Sequence, residues 1–200
     1  MTCSSSSSSS AAMRFAVLGQ KDAMLRALYE LAQVKRTSAI EVIVISPSNA
    51  ATIPHSANVV DVCASLGYRY ILGSTNEVVL EALCDFRPDL LISILWPRKV
   101  SKQMLDACRC CINFHPSLLP RHRGSLTQFW TIFEGDAEGG TTCHHMVEAF
   151  DAGRILHQVA VKVSPSETAL SLSLKIAAAT EQCFQHVLGE FLRSDGKLSE

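Results

Sequence analysis

The segment DLLISILWPRKVSKQMLDACRCCINFH (residues 89–115) contains two apolar runs of strand length on either side of a helical stretch. The runs DLLISILW (89–96) and CINFH (111–115) are rich in Leu, Ile and Phe, and SKQMLDAC (101–108) suits a short helix. Two strands joined by a helix indicate a βαβ unit, in which the strands run parallel. The segment therefore predicts an α/β fold.

The same alternation extends in both directions from this unit. Strands are predicted at residues 14–19, 40–46, 69–72, 141–147 and 154–163, and helices at residues 22–34, 56–67, 76–86 and 168–192. Strands that alternate with helices predict a doubly wound, mostly parallel, Rossmann-like sheet. Ligands bind at the carboxyl edge of such a sheet, so that edge is where a site is expected.

Length and composition are those of one ordinary globular domain. The chain has 200 residues, of which 48% are hydrophobic and 18% are charged. This predicts a single domain at residues 13–200. Residues 1–12, which include CSSSSSSSAA, form a low-complexity leader that we expect to be disordered.

Charge and cysteine content indicate a globular protein without a broad surface for nucleic acid or a membrane. A net charge of −1 at pH 7 offers no broad basic surface for nucleic acid or a membrane. No apolar run approaches the roughly 20 residues that span a bilayer. The eight cysteines are interpreted as reduced thiols, because a chain of this length and core size does not depend on disulfides. Together with the lack of a secretory or mitochondrial signal, this predicts a cytoplasmic protein.

Polar residues follow the apolar part of the strand CINFH. Asn113 and His115 are two positions apart, so their side chains should lie on the same face of the strand. Asp151 lies in EAFDAG (148–153), a loop between two predicted strands in which Gly153 is expected to supply turn freedom. Each of these residues alone also suits a polar turn, so the pattern does not decide between a turn and a catalytic site.

Several parts of the chain resemble a known family. NFHPSLLPRHRG (113–124), Trp130, EGDAEGGTT (134–142) and HMVEAFDAGRIL (145–156) are similar to the signature of the 10-formyltetrahydrofolate-dependent formyltransferases. That family includes glycinamide ribonucleotide transformylase, methionyl-tRNA formyltransferase and sugar-nucleotide N-formyltransferases. The resemblance covers most of the chain from Met13. It implies a transferase of one-carbon metabolism and biosynthesis with 10-formyltetrahydrofolate as the formyl donor.

The resemblance implies that Asn113, His115 and Asp151 are catalytic. Formyl transfer passes through a tetrahedral oxyanion, to which the Asn113 amide can donate a hydrogen bond. His115 can polarise the carbonyl and move a proton, since its reference pKa of about 6.5 lies near the working pH. Asp151 can orient the imidazole or relay a proton through water.

The resemblance also indicates supporting residues. Thr142 is expected to hold a catalytic water, and His144 and Ser117 are expected to support the site. His122 and His157 are interpreted as solvated side chains. No trio of histidines or carboxylates has the chain spacing of metal ligands, so no metal is expected.

An apolar wall beside backbone amides suits a flat heterocycle that both stacks and hydrogen-bonds. The resemblance places the pterin against ISILWPRKV (92–100) and the folate loop at EAFDAG (148–153). The residues expected to bind the cofactor are Leu95, Trp96, Pro97, Glu148, Ala149, Phe150, Ala152 and Gly153. Core packing is an equally good explanation for Trp96.

The sequence indicates the acceptor less clearly. Ribonucleotide transformylases have a glycine-rich loop after the first strand, whereas VLGQKDAML (17–25) has one glycine. Arg121 and Arg123 resemble residues of methionyl-tRNA formyltransferases and could contact a phosphate-bearing acceptor. The sugar-nucleotide branch also stays open. We therefore expect either a small-molecule amine or an aminoacyl-tRNA as acceptor, and homo-oligomerisation stays open.

Two alternatives remain at this point. A 10-formyltetrahydrofolate hydrolase would use the same three residues with water as the acceptor. An inactive folate-binding partner subunit would keep the fold without the chemistry. The presence of Asn113, His115 and Asp151 together favours the enzyme.

Overall fold

The computed structural model describes residues 12–47, 57–194 and 196–198. The leader that is expected to be disordered lies outside the described residues, except for its last position. The strands are β1 (Met13–Gly19), β2 (Ile40–Ser46), β3 (Arg69–Leu72), β4 (Leu90–Ile94), β5 (Cys110–His115), β6 (Glu138–His145) and β7 (Ile155–Lys162). The helices are α1 (Lys21–Lys35), α2 (Val59–Leu66), α3 (Asn76–Phe86), α4 (Lys102–Asp106), α5 (Thr127–Phe133) and α6 (Ala169–Arg193).

The seven strands form one sheet in the order β3-β2-β1-β4-β5-β6-β7. Strands β1 to β5 run parallel, whereas β6 pairs antiparallel with β5 and β7 pairs antiparallel with β6. The prediction of a doubly wound, mostly parallel, Rossmann-like sheet is confirmed. The strand order reverses between β1 and β4, and this is the kind of position at which such sheets bind ligands.

Side-chain alternation along the strands supplies two cores, one on each face of the sheet. In β1, Phe15 and Val17 belong to the larger core with residues of α1 and α6, whereas Ala16 and Leu18 belong to the smaller core with residues of α3 and α4. All four side chains are completely buried. Because both faces are covered, the central strands are apolar almost throughout, and the first polar side chains mark the ends of the strands.

Some element boundaries differ from the sequence prediction. β4 ends at Ile94 instead of residue 96, because Leu95 turns the chain with a φ of 56°. β6 begins at Glu138, before the predicted start at residue 141. Helix α5 is absent from the sequence prediction, because its exposed side carries the aromatic residues Phe129, Trp130 and Phe133 and so hides the polar half of the helical pattern. Among the described residues, no helix is long and apolar enough to cross a membrane.

Candidate active site

Asn113 and His115 lie at the carboxyl end of β5, beside the antiparallel strand β6. Asn113 is opposite His144 in that pairing, and His115 is opposite Thr142. Asp151, from the loop between β6 and β7, reaches both histidines. Its Oδ2 lies 3.4 Å from Nδ1 of His115, and its Oδ1 lies 3.6 Å from Nε2 of His144. The fold thus brings an amide, two imidazoles and a carboxylate together.

The tautomer of His115 follows from its hydrogen bond. Nε2 lies 2.8 Å from the backbone carbonyl oxygen of His122. A carbonyl can only accept, so Nε2 carries the proton and Nδ1 of the neutral ring has a lone pair facing Asp151. Burial has the largest effect on the ring and lowers the pKa of His115, against the opposite influence of the His122 carbonyl and Asp151. The neutral imidazole therefore offers Nδ1 as a base.

Asp151 is hydrogen-bonded to the backbone on one side and faces His115 and His144 on the other. It has a left-handed φ of 48°, which Asp tolerates better than most residues. Its Oδ2 accepts a hydrogen bond of 2.8 Å from the backbone N–H of Gly124. Burial raises the pKa of the Asp151 carboxyl group, but the interactions with His144, Gly124 and His115 outweigh burial and lower it. Asp151 is therefore an anion that can stabilise a protonated His115.

His144 links Asn113 to Asp151. Its Nδ1 donates to the backbone carbonyl of His145 at 2.8 Å, so Nε2 of the neutral ring is free to accept. Nε2 lies 3.2 Å from Nδ2 of Asn113. This contact uses one N–H of the Asn113 amide and leaves the second N–H able to donate to a ligand oxygen.

The expectation that Gly153 supplies turn freedom is wrong, because the positive φ in this loop belongs to Asp151. Glycine is needed at position 153 for space instead. A Cβ there would lie 1.7 Å from the carbonyl oxygen of His145, the same oxygen that accepts from His144. The close approach of the two backbones thus helps to hold His144 in its orientation.

The Thr142 hydroxyl, which is expected to hold a catalytic water, forms its hydrogen bonds within the protein. Oγ1 donates to the carbonyl of Ser117 at 2.7 Å. It accepts from the N–H of Leu119 at 3.0 Å and from Nε2 of Gln158 at 2.8 Å. A hydroxyl has one proton and two lone pairs, so these three bonds satisfy it. Thr142 therefore ties the chain that follows β5 to the neighbouring strands.

The segment 116–126 that follows β5 has no regular secondary structure, and its first part is packed. Ser117 is 1% exposed and Leu119 is 5% exposed, whereas Pro120, Arg121 and residues 123–126 are exposed. The hydroxyl of Ser117 donates to the carbonyl of Arg121 at 2.7 Å and so closes the segment on itself. Ser117 thus stabilises the course of this segment.

The interpretation of His122 as a solvated side chain is wrong. The side chain is 8% exposed, and its Nε2 donates to Oδ2 of Asp136 at 2.6 Å. Arg121, which is expected to bind the acceptor, forms ion pairs with Asp136 and Glu134 in the structure. Sequence reasoning missed this cluster because α5 separates its two halves along the chain.

The same cluster is the one group of possible metal ligands among the described residues. His122, Glu134 and Asp136 have ligand atoms within 4.8 Å of one another, which their chain spacing does not indicate. Arg121 already pairs with both carboxylates, and Asp136 already accepts from His122. A pocket of about 310 Å³ adjoins the cluster.

Two further predicted positions do not belong to this cluster. His157, which is also interpreted as solvated, is half-buried, and its ring stacks on that of His186 with 3.9 Å between centroids. That interpretation is wrong as well. Arg123, the second residue expected to bind the acceptor, is exposed.

The two segments that are expected to bind folate lie side by side. Nζ of Lys99 is 5.9 Å from the ring centroid of Phe150, and this contact joins the chain after β4 to the loop 148–153. Phe150 is 63% exposed. Pro97, Glu148, Ala149 and Ala152 are exposed as well. These side chains are therefore accessible to a ligand.

Leu95 and Trp96 differ from these exposed residues. Leu95 packs against the larger core, and Trp96 packs against the smaller one. The guanidinium of Arg98 lies 4.6 Å over the Trp96 ring and donates to the carbonyls of Gly73 and Ser74. Trp96 thus has the core packing that the sequence left as an alternative. Nothing in the sequence around Arg98 indicated this ring contact or these hydrogen bonds.

A protein-family model described as formyl transferase matches residues 13–188. This span contains the entire sheet and every candidate site residue named above. The methionyl-tRNA formyltransferase of Desulfotalea psychrophila is 41% identical over 103 residues, which are 51% of this chain and 32% of that relative. The match thus spans about a third of the relative's length.

Solved structures have the same fold. The phosphoribosylglycinamide formyltransferase of Anaplasma phagocytophilum has a TM-score of 0.74 and 28% identity, covering 87% of this chain and 83% of that chain. An N-formyltransferase of Helicobacter canadensis, in complex with folinic acid and dTDP-3-aminofucose, has a TM-score of 0.75 and 18% identity, covering 91% of this chain and 65% of that chain. The second likeness is one of fold alone.

Proposed function

The chain belongs to the formyl transferase family, and we propose that it moves a formyl group from 10-formyltetrahydrofolate to an amine, with Asn113, His115 and Asp151 as catalytic residues. The observation that carries this proposal is the state of His115. Its Nε2–H donates to the His122 carbonyl. The unprotonated Nδ1 therefore faces the Asp151 carboxylate at 3.4 Å. A proton between two hydrogen-bond acceptors that face each other stabilises them. The amine that receives the formyl group supplies such a proton.

The proposed reaction begins with attack of the amine nitrogen on the formyl carbon. His115 Nδ1 takes the proton that the amine loses as the new C–N bond forms, and Asp151 stabilises the resulting imidazolium. The bond between the formyl carbon and N10 then breaks, and the imidazolium returns its proton to N10. Tetrahydrofolate and the formylated amine leave, and His115 is neutral again.

The oxyanion of the tetrahedral intermediate needs a donor that does not titrate. The Asn113 amide fits this role, because His144 occupies one of its N–H groups and fixes the direction of the other. His144 is therefore proposed as the residue that orients the amide. Losing a single oxyanion donor costs roughly 10² to 10³ in rate, which sets the scale for the test below.

The donor is proposed to bind between the chain after β4 and the loop 148–153. Phe150, with Lys99 beside it, is an exposed aromatic surface for the pterin or its benzoyl extension. The backbone of the loop, which contains Glu148, Ala149, Ala152 and Gly153, supplies hydrogen-bonding groups. Leu95 and Pro97 form the apolar side of the proposed site.

Methionyl-tRNA is the acceptor that we propose to test first. The 41% identity to a methionyl-tRNA formyltransferase supports it, and so does the single glycine after β1, which leaves little backbone for a ribonucleotide phosphate. Arg123, exposed beside the site, is the proposed phosphate contact, because Arg121 is held by two carboxylates. In this proposal residues 13–200 act as one catalytic domain in the cytoplasm, a location that the free thiols of the described cysteines suit.

The test is release of tetrahydrofolate from 10-formyltetrahydrofolate in the presence of methionyl-tRNA, aminated sugar nucleotides or glycinamide ribonucleotide. A fourth reaction contains no amine, so that hydrolysis is measured separately. Formylated product with at least one amine is the expected result. Release that is equally fast without an amine would identify a hydrolase. No release in any reaction, with binding of folinic acid intact, would identify an inactive folate-binding protein.

A further inference from the structure

The carbonyl that sets the His115 tautomer belongs to a residue in an unfavourable conformation. His122 has a φ of 52°, in the left-handed region that side-chain-bearing residues seldom occupy. Residues held there persist when the surrounding structure determines them. Something other than local preference must therefore hold the 122 peptide with its oxygen 2.8 Å from Nε2 of His115.

Two groups are in a position to do this. The Ser117 hydroxyl lies 3.3 Å from the His122 carbonyl oxygen, but it donates to the Arg121 carbonyl at the shorter distance of 2.7 Å. The second group is Asp136. Its Oδ2 accepts from Nε2 of His122 at 2.6 Å, and both side chains are nearly buried, at 7% and 8% exposure. Asp136 is itself fixed, because its backbone N–H donates to the carbonyl of Thr131 on α5 at 3.0 Å. A carboxylate anchored to a helix thus holds the imidazole whose own carbonyl reaches the proposed catalytic base.

The position of that carbonyl has a chemical consequence for His115. A neutral imidazole has one proton, and two acceptors compete for it, namely the His122 carbonyl at Nε2 and Asp151 at Nδ1. The 2.8 Å distance on the first side and 3.4 Å on the second favour the Nε2–H tautomer. If the carbonyl moved away, the proton would go to Nδ1, and the ring would lose its base at the proposed site.

We propose that Asp136 is a positioning residue that acts through His122 to keep His115 in the Nε2–H tautomer. The role of the tautomer in turnover rests on the proposed function, whereas the tautomer itself is a property of the free protein. Asp136 touches no reacting atom. Its effect passes through one side-chain hydrogen bond and one backbone carbonyl.

Glu134 offers a matched control. It pairs with Arg121 at 3.3 Å, as Asp136 also does with its Oδ1, but it forms no hydrogen bond with His122. Asp136→Ala and Glu134→Ala each remove one negative charge next to Arg121. Only Asp136→Ala removes the hydrogen-bond acceptor of the His122 imidazole.

The experiment measures the tautomer of His115 by ¹³C and ¹⁵N histidine spectra of the free folded protein, with the His115 signals identified by their loss in His115→Ala. Wild type and Glu134→Ala are expected to show the Nε2–H form. Asp136→Ala is expected to populate the Nδ1–H form and to lower kcat roughly tenfold, within the hundredfold that a misplaced catalytic group can cost, with KM for the folate unchanged.

A second variant covers the case in which Asp136→Ala does not fold. His122→Asn keeps the carbonyl, tolerates the positive φ and cannot reach Asp136, so the same shift of tautomer is expected. An Nε2–H ring in folded Asp136→Ala or His122→Asn would overturn the proposal, and so would an equal shift in Glu134→Ala. If the wild type transfers no formyl group to any acceptor, the proposed function fails, but the spectra still decide the positioning.

Discussion

Two irregular stretches of chain meet at the candidate active site, and they are held in opposite ways. In the segment 116–126, Ser117 and Leu119 are buried, and the backbone of both is bonded to the Thr142 hydroxyl in β6. The loop 148–153 is mostly exposed, with Phe150 at 63%. Its firm attachment to 116–126 is Asp151, whose carboxylate accepts from the Gly124 N–H.

The difference between the two stretches shows which parts of the site are rigid. An irregular segment is as fixed as a strand when its polar groups are paired and its apolar side chains are buried. The groups proposed to react, Asn113, His115 and Asp151, are all attached to such structure. The part of the loop 148–153 proposed to contact the folate is left accessible, as expected for a surface that adapts to a ligand.

The largest expected effect comes from the reacting groups. Asn113→Ala, His115→Ala and Asp151→Asn should each lower kcat by at least roughly 10² to 10³, because each removes a group used in the transition state. Pairwise combinations should cost much less than the product of the single effects. The measurement is tetrahydrofolate release by variants whose circular dichroism matches wild type. His186→Ala, which removes an imidazole on α6, should stay active. Near-wild-type turnover of His115→Ala would contradict the catalytic assignment.

The next effect tests whether the segment 116–126 is as rigid as its hydrogen bonds indicate. Thr142→Val keeps the shape but leaves the Ser117 carbonyl and the Leu119 N–H without a partner, and Gln158 Nε2 keeps only its bond to the Leu119 carbonyl. Each unsatisfied buried group costs about 1–3 kcal/mol, so chemical denaturation should show a loss of several kcal/mol. Turnover at a temperature where the variant is folded should fall by roughly 10- to 100-fold.

Thr180→Val is the matched control for this change. Thr180 is as buried, but its hydroxyl donates within its own helix, to the carbonyl of Ile176 at 2.8 Å. It should lose less stability than Thr142→Val and keep its turnover. Equal turnover in the two variants would mean that the segment 116–126 is a connector and does not preorganise the site.

A smaller effect is expected from a substitution in the exposed loop 148–153. Phe150→Ala should raise KM for the folate about fivefold, which corresponds to about 1 kcal/mol, with kcat nearly unchanged. The free energy of unfolding should change by no more than about 0.5 kcal/mol, because the side chain is exposed. Phe133→Ala on α5, also exposed, is the control and should leave KM unchanged. A large loss of stability in Phe150→Ala would remove the contrast between the two stretches.

The smallest effect concerns pH. Burial lowers the pKa of His115 below its ordinary value of 6.5, and the charged or titratable groups facing it are Asp151, His144 and His122. The base form is needed, so kcat should be constant at neutral pH and fall only as pH drops through the lowered pKa. At pH 6, an ordinary histidine would be about three-quarters protonated and would reduce kcat about fourfold. A profile of kcat against pH should show less than this.

The lowered pKa of His115 also makes the free energy of unfolding depend on pH. The unfolded chain binds a proton at His115 more readily than the folded one, so this residue lowers the free energy of unfolding as pH falls below about 6.5. His115→Gln should weaken that dependence in denaturation measurements between pH 7 and 5. If kcat fell at low pH with a midpoint at or above pH 6.5, this would contradict the buried, neutral state of His115.

Much of the fold could be predicted because it depends on local pattern. The alternation of strand and helix indicated the parallel sheet, and the boundaries of β2, β3 and α3 match the prediction residue for residue. Boundaries failed where a single backbone angle decides them, as at Leu95, or where an exposed face is apolar, as on α5. A hydrophobic pattern reports burial and does not report either of these.

The residues of the candidate site could also be predicted only in part. Period-two spacing at the end of a strand placed Asn113 and His115 together, and the resemblance of the motifs added Asp151 and His144. The roles of Thr142, Gly153 and His122 could not be read in the same manner. Each depends on a partner that is distant in sequence, such as Leu119, the His145 carbonyl or Asp136.

The sequence by itself thus determined the sheet, its edge and the kinds of group that lie there, because side-chain periodicity and strand length are local properties. Only the tertiary structure decided which nitrogen of His115 holds the proton, because that depends on the position of the His122 carbonyl against the Asp151 carboxylate. Both partners lie in irregular chain whose course is set by packing and by hydrogen bonds across the sheet. No pattern of neighbouring residues contains that information.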